Sequence, residues 1–158
     1  MRFAFLPLLI LPLVPPVAGR AAEIPGTWHK SCETPKEAAR RCFVEQIAVA
    51  RPGGGAVLRV GLEAQPDGRA RLTALAPLGI SLRVGLDLAV DGAAPVTLPF
   101  ERCTGRGCEV SAILDWTALE TFVKGTTLTV RYAPTEASSA SVPLRLEGLA
   151  AALDSLSR

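Results

Sequence analysis

The longest regular pattern in this chain is an alternation of apolar and polar residues between positions 81 and 90. Five aliphatic residues fall on every second position, namely Leu82, Val84, Leu86, Leu88 and Val90. A β-strand turns successive side chains to opposite faces, so this alternation predicts one strand with a buried face and a solvent-exposed face.

Shorter segments along the chain, most of them alternating and one simply apolar at 110–114, also predict strands. They cover residues 42–50, 58–62, 71–76, 96–100, 110–114, 128–132 and 142–146. Turn-forming residues separate several of them, as at 53–55 (Gly-Gly-Gly), 66–68 (Pro-Asp-Gly) and 91–92 (Asp-Gly). Many short strands joined by regular turns predict a mainly β fold, namely an antiparallel β-sandwich, with a partly open barrel as the alternative.

Two short helices interrupt the strands, the second of them at the C-terminus. Asp115 is a suitable N-cap for a helix over residues 116–124, and Gly125 is a suitable end. On that helix we expect Trp116, Leu119 and Val123 to share the buried face. The second helix is predicted over residues 149–156.

The N-terminus predicts export. One basic residue at position 2 precedes an apolar run of 17 residues, and small residues follow before and after Arg20. Four prolines and the short run argue against a transmembrane helix. We therefore predict a signal peptide over residues 1–21, with cleavage after Gly19 as the alternative, and one domain over residues 22–158. Because the first cysteine is Cys32, no lipid anchor is expected. The prolines and the short apolar run likewise predict no transmembrane anchor.

The charge balance argues against a polyanionic partner. The whole chain has 17 Lys and Arg against 15 Asp and Glu. Removing residues 1–21 takes away Arg2 and Arg20, which leaves 15 of each sign. The only adjacent basic pair is Arg40-Arg41, whereas nucleic-acid binding needs a concentrated basic face. No nucleic-acid partner is predicted.

Four cysteines suit an oxidising compartment. Cys32, Cys42, Cys103 and Cys108 allow three pairings, of which the two local ones need the shortest loops. A zinc site is the first alternative, although the spacing of the first pair is too long for a zinc knuckle. A redox-active pair is the second, although no CxxC is present. Structural disulfides are the interpretation that export favours.

Few residues suggest chemistry. His29 is the only histidine, so any Ser-His-Asp site would have to use it, but no GxSxG sequence accompanies a serine. Asp87 and Asp91 could face a calcium ion together, but the chain has no EF-hand loop. Trp28 and Trp116 could anchor a partner, although both are expected in the core. No catalytic residue, metal site or cofactor is predicted.

The order of several short motifs resembles that of the invasion-associated locus B family of exported Gram-negative bacterial proteins. The matching residues are Trp28 with Cys32, 42–46 (CFVEQ), 76–80 (APLGI), 82–85 (LRVG), 90–92 (VDG), 99–103 (PFERC), 107–108 (GC), 143–149 (PLRLEGL) and 151–153 (AAL).

The resemblance implies a periplasmic, outer-membrane-associated or secreted protein without an established catalytic activity. Members of this family are implicated in host-cell invasion, and the partner would be an envelope or host protein of unknown identity. Two alternatives stay open at this stage. One is a thiol-disulfide or other accessory enzyme of the periplasm, and the other is a purely structural envelope protein.

Overall fold

The computed structural model describes residues 27–34, 39–49 and 56–157. The predicted signal peptide, its cleavage sites and the glycine turn at 53–55 lie outside these ranges. No helix within them is both long enough and apolar enough to cross a membrane.

The described residues contain ten strands and two α-helices, and a 3₁₀ turn at Ser155–Ser157 follows the second helix. The strands are β1 His29–Glu33, β2 Arg41–Val49, β3 Ala56–Ala64, β4 Ala70–Ala76, β5 Leu86–Val90, β6 Val96–Leu98, β7 Arg102–Thr104, β8 Gly107–Leu114, β9 Thr127–Thr135 and β10 Ser138–Arg145. The helices are α1 Trp116–Lys124 and α2 Leu149–Asp154.

The strands form two antiparallel sheets. One sheet has six strands in the order β1-β2-β3-β4-β8-β7, and the other has four in the order β10-β9-β5-β6. Alternate residues of both sheets are buried in one apolar core, which includes Val60, Leu72, Val110, Leu128 and Leu144. This confirms the predicted antiparallel β-sandwich with two short helices, one of them at the C-terminus.

The predicted strand over residues 81–90 is half wrong, because only Leu86–Val90 forms a strand. Gly85 has a φ of +77°, and an added Cβ would lie 2.8 Å from the carbonyl oxygen of Leu98. The regular strand therefore begins only after Gly85, whose left-handed backbone interrupts the alternation. Leu82 and Val84, which the alternation placed in the core, are each 48% exposed in the preceding loop.

The prediction that Trp116 is a core residue is also wrong. Trp116 is the first residue of α1 and is 69% exposed, while the residue of that helix that is buried is Phe122. The indole of Trp116 reaches the β3–β4 turn, where it lies against Gly68. There an added Cβ would be 3.7 Å from Cζ3 of the ring.

The ends of α1 are as predicted, but Gly125 is there for a different reason. Asp115 caps the helix by accepting a hydrogen bond from the backbone N–H of Ala118 at 2.8 Å. Gly125 has an ordinary φ of −70°. An added Cβ would overlap Val90 Cγ1 and come within 2.9 Å of Leu146 Cδ1. Glycine is needed here for close packing and not for a left-handed backbone.

Candidate functional site

The four cysteines form two disulfides, Cys32–Cys42 and Cys103–Cys108. Each joins residues that are directly opposite on neighbouring antiparallel strands, with Cα atoms 4.1 Å and 4.0 Å apart. Because β1 and β7 are the two edge strands of the six-stranded sheet, each disulfide fixes one edge to its neighbour. Closing such short loops contributes about 2–3 kcal/mol each by restricting the unfolded chain.

His29 lies on the outer face of this sheet, beside a buried carboxylate. Glu45 on β2 is only 5% exposed, and its Oε1 is 3.3 Å from Nε2 of His29. Ser31 donates its hydroxyl proton to the same oxygen at 2.5 Å, and Nε of Arg59 is 3.2 Å from Oε2. From the sequence, Glu45 is named only as part of the 42–46 motif, and the one signal of a structural role is a charge inside the apolar strand CFVEQIAVA.

The cluster around Glu45 does not have the order of a catalytic triad. In a serine hydrolase the nucleophilic hydroxyl bonds to the histidine, and the carboxylate holds the far side of the ring. Here the hydroxyl of Ser31 and the ring of His29 both meet one oxygen of Glu45. The carboxylate therefore attaches β1 to β2 and, through Arg59, to β3.

Asp87 and Asp91 do not converge on a common ligand. Asp87 accepts a hydrogen bond from the hydroxyl of Thr97 at 2.6 Å and is 3.7 Å from Nε of Arg131. Asp91 has a φ of +49°, and its carboxylate accepts the backbone N–H groups of Thr126 and Thr127. Both carboxylates thus hold neighbouring strands. In the described parts of the chain, no three His, Cys, Asp or Glu side chains are grouped closely enough to hold a metal ion.

Trp28 is a core residue, as predicted, and its indole N–H donates to the carbonyl oxygen of Arg145 at 2.9 Å. Gln46, named from the sequence only as part of the 42–46 motif, is fully buried and donates to the same oxygen at 3.0 Å. Trp28, just before β1, and Gln46 on β2 therefore both contact β10 of the four-stranded sheet.

A long, shallow depression crosses the outer face of the six-stranded sheet, and we refer to it as the outer depression. Its volume is about 410 Å³, and its walls come from all six strands and from the segment before β7. Nine of its fourteen lining residues are charged. The lining consists of Arg41, Arg59, Arg71, Arg102 and Arg106, of Glu33, Glu63, Glu101 and Glu109, and of Phe43, Gly61, Thr73, Leu75 and Ser111.

Opposite charges alternate across the outer depression. Glu33 is directly opposite Arg41 in the register of β1 and β2, and Glu63 is directly opposite Arg71 in that of β3 and β4. At the far side, one oxygen of Glu109 accepts from Nε and Nη2 of Arg102. Five arginines against four glutamates leave a net charge of +1. The surface can therefore offer both donors and acceptors without a strong field of one sign.

Two exposed apolar side chains, in addition to Phe43 and Leu75 in the lining, lie on one side of the outer depression. Ile113 on the outer face of β8 is opposite Arg71 and is 43% exposed, and the exposed Trp116 follows three residues later. The nearby β3–β4 turn is fixed by an ion pair, with Nη2 of Arg69 2.6 Å from Oδ2 of Asp67. Hydrogen bonds from Arg69 lower the pKa of Asp67 below its ordinary value. Ile113 and Trp116 therefore form an exposed apolar area beside the outer depression.

Comparison with known proteins places this sandwich in a family. A family model described as "Invasion associated locus B (IalB) protein" matches residues 28–157. A crystal structure of invasion associated protein B from Bartonella henselae is similar, with a TM-score of 0.71 and 22% identity. The match covers 83% of this chain and 90% of that one. No curated protein matches the chain.

Proposed function

Since this chain belongs to the invasion associated locus B (IalB) family, we propose that it is an exported protein that acts by binding, and not by catalysis, at the bacterial envelope or outside the cell. Its site is the outer depression. The ligand is a component of the envelope or of a host surface, and attachment to a host cell is the role that the family name suggests.

The observation that carries the binding proposal is the charged lining of the outer depression. It lies on a six-stranded sheet whose two edges are each fixed by a disulfide, so the side chains are held on a rigid support. Acidic and basic groups on such a support can bind a polar ligand through paired donors and acceptors. The cluster of Ser31, His29 and Glu45 lacks the hydroxyl-to-histidine bond of nucleophilic catalysis.

Export is supported by the predicted signal peptide and by the two disulfides, because disulfides form and persist outside the cytosol. We place the mature protein in the periplasm, associated with the outer membrane, or in the medium.

Expression of the full chain with a C-terminal tag in a Gram-negative host tests export. We expect the tagged protein in the periplasmic or culture fraction, beginning at Ala22 or, after the alternative cleavage, at Arg20. Its mass should be four hydrogen atoms below that of the reduced chain, as two disulfides require. Protein that stays in the cytosol with Met1 and four free thiols would contradict the proposal.

A binding function also predicts that the protein catalyses no hydrolysis through His29, its only histidine. The oxidised mature chain and His29→Ala are compared on panels of ester, peptide and glycan substrates, and on a thiol-disulfide exchange assay with and without alkylation. We expect neither protein to show activity above the buffer rate. Hydrolysis that disappears in His29→Ala would identify an enzyme, and so would rapid, reversible reduction of the Cys103–Cys108 pair.

A further inference from the structure

Gly61, at the centre of the outer depression, is a glycine that the fold itself does not require. Its φ lies outside the left-handed range, and an added Cβ would make only ordinary contacts, 3.6 Å from Cδ2 of Phe43 and 3.6 Å from the carbonyl oxygen of Val44. Glycine inside a strand lowers stability relative to a residue with a side chain. Neither backbone geometry nor packing accounts for its presence.

When the fold gives no reason for a glycine inside a strand, the remaining reason is that a ligand approaches the backbone closely at that position. Gly61 is opposite Thr73 on β4, and Thr73 is opposite Ser111 on β8. These three residues form a low floor of small side chains across three central strands. Arg59 and Glu63 flank Gly61 on the same face of β3, and both line the outer depression.

The shape and the charge of this floor limit the class of ligand. The lining comes from all six strands, so the outer depression extends over about 24 Å at the usual strand spacing of about 4.8 Å. A depression of this length and of only about 410 Å³ suits a single extended chain molecule. With five arginines and four glutamates, the surface has no excess charge to select a polyanion or a polycation.

A peptide fits this surface less well than a sugar chain does. Extended peptides are recognised at open strand edges, helical peptides in apolar grooves, and phosphopeptides by arginine clusters. The outer depression lies on a sheet face, nine of its fourteen lining residues are charged, and its arginines alternate with glutamates. Neighbouring hydroxyls of a sugar, in contrast, pair with guanidinium donors and carboxylate acceptors of the kind present here.

From these observations we propose that the outer depression binds a linear, uncharged polysaccharide segment that lies across the floor of Gly61, Thr73 and Ser111. Ile113 and the exposed Trp116 lie to one side of this floor, displaced along the strand direction. This inference rests on the proposed binding function and names the ligand class of the same site.

Titration of the oxidised full-length mature protein with three neutral hexasaccharides, namely hexa-N-acetylchitohexaose, cellohexaose and maltohexaose, tests the inference. Binding is followed by backbone amide NMR shifts and by tryptophan fluorescence at sugar concentrations up to about 10 mM, which detects millimolar dissociation constants. We expect at least one sugar to bind and to shift the amides of the floor. Gly61→Val should weaken its binding at least tenfold, because the added side chain rises from the floor.

The same variant separates a binding effect from a folding effect. Because Gly61 is not needed by the fold, Gly61→Val should keep the Tm or raise it by about 2–4 °C. A second variant, Arg71→Gln, should weaken binding without filling the floor. Its matched control is Arg131→Gln on the outer face of the other sheet, which should bind the sugar as the wild type does. A large fall in Tm for Gly61→Val would show that the fold itself requires glycine at this position, and the argument for a ligand would then be lost.

The remaining outcomes distinguish the two proposals. If no hexasaccharide binds, or if Gly61→Val binds as tightly as the wild type, the polysaccharide inference is wrong. Short polylysine and polyglutamate peptides test whether the outer depression binds a peptide instead of a polysaccharide. Peptide binding that Gly61→Val abolishes, without any sugar binding, would overturn the ligand class but keep the binding function. Cleavage of a bound hexasaccharide would keep the ligand class but overturn the non-catalytic function.

Discussion

Gly107→Ala should lower the free energy of unfolding by about 4 kcal/mol, a large part of the 5–15 kcal/mol that typically separates folded from unfolded domains. Gly107 has a φ of +143°, which residues with a Cβ rarely adopt. The added Cβ would overlap the carbonyl oxygen of Ala76 and come within 3.0 Å of Cγ of Leu75. Backbone strain costs about 1–3 kcal/mol, and displacing packed atoms costs about as much again.

The effect is checked by urea unfolding of the oxidised protein, with both disulfides intact. Gly105→Ala is the matched control, because it lies in the same β7–β8 hairpin and an added Cβ there meets nothing within 4 Å. We expect this control to stay within about 0.5 kcal/mol of the wild type, as exposed substitutions usually do. Equal stability of the two variants would show that the hairpin can move away from β4 at little cost.

The fold was predictable where apolar alternation and burial agree. In β4, for example, Leu72, Ala74 and Ala76 alternate in the sequence and are all buried between the sheets. The alternation failed at Leu82 and Val84, because an apolar side chain on every second position does not reveal a left-handed glycine. Gly85 stands inside that pattern with a φ of +77°, and β6 lies so close that an added Cβ would meet Leu98. Contacts distant in sequence thus decide where this strand begins.

The candidate site was much less predictable than the fold. Its charged residues are spread over β1, β2, β3, β4, β7 and β8, and only the sheet order brings them together. The sequence reasoning treated such positions as the wet faces of strands. Trp116 is expected in the core because large aromatic residues usually are buried. Helical spacing alone does not show that its indole lies on the surface against Gly68. The outer depression could only be found from the structure.

Trp28→Ala should be nearly as damaging as the change at Gly107, with a loss of about 3–5 kcal/mol for a truncated core tryptophan. The indole is 92% buried and also donates to the carbonyl oxygen of Arg145. That oxygen needs a donor from outside its own sheet. Arg145 is directly opposite Thr127 in the register of β10 and β9. The carbonyl oxygen of Thr127 accepts the backbone N–H of Asp91 on the other side of β9, so Arg145 and Thr127 exchange no backbone hydrogen bonds. The carbonyl oxygen of Arg145 therefore points away from β9.

A double-mutant cycle separates packing from hydrogen bonding at this carbonyl. Trp28→Phe keeps an aromatic ring, and Gln46 still donates to Arg145, so we expect a loss of only about 1–2 kcal/mol. Gln46→Leu removes the second donor together with an amide oxygen that has no partner among the described residues, so its loss should be about 1 kcal/mol or less. With both changes the carbonyl of Arg145 has neither donor. The combined loss, measured by urea unfolding, should then exceed the sum of the single losses by about 1 kcal/mol. Strict additivity would contradict this prediction and would mean that water satisfies the oxygen once both donors are gone.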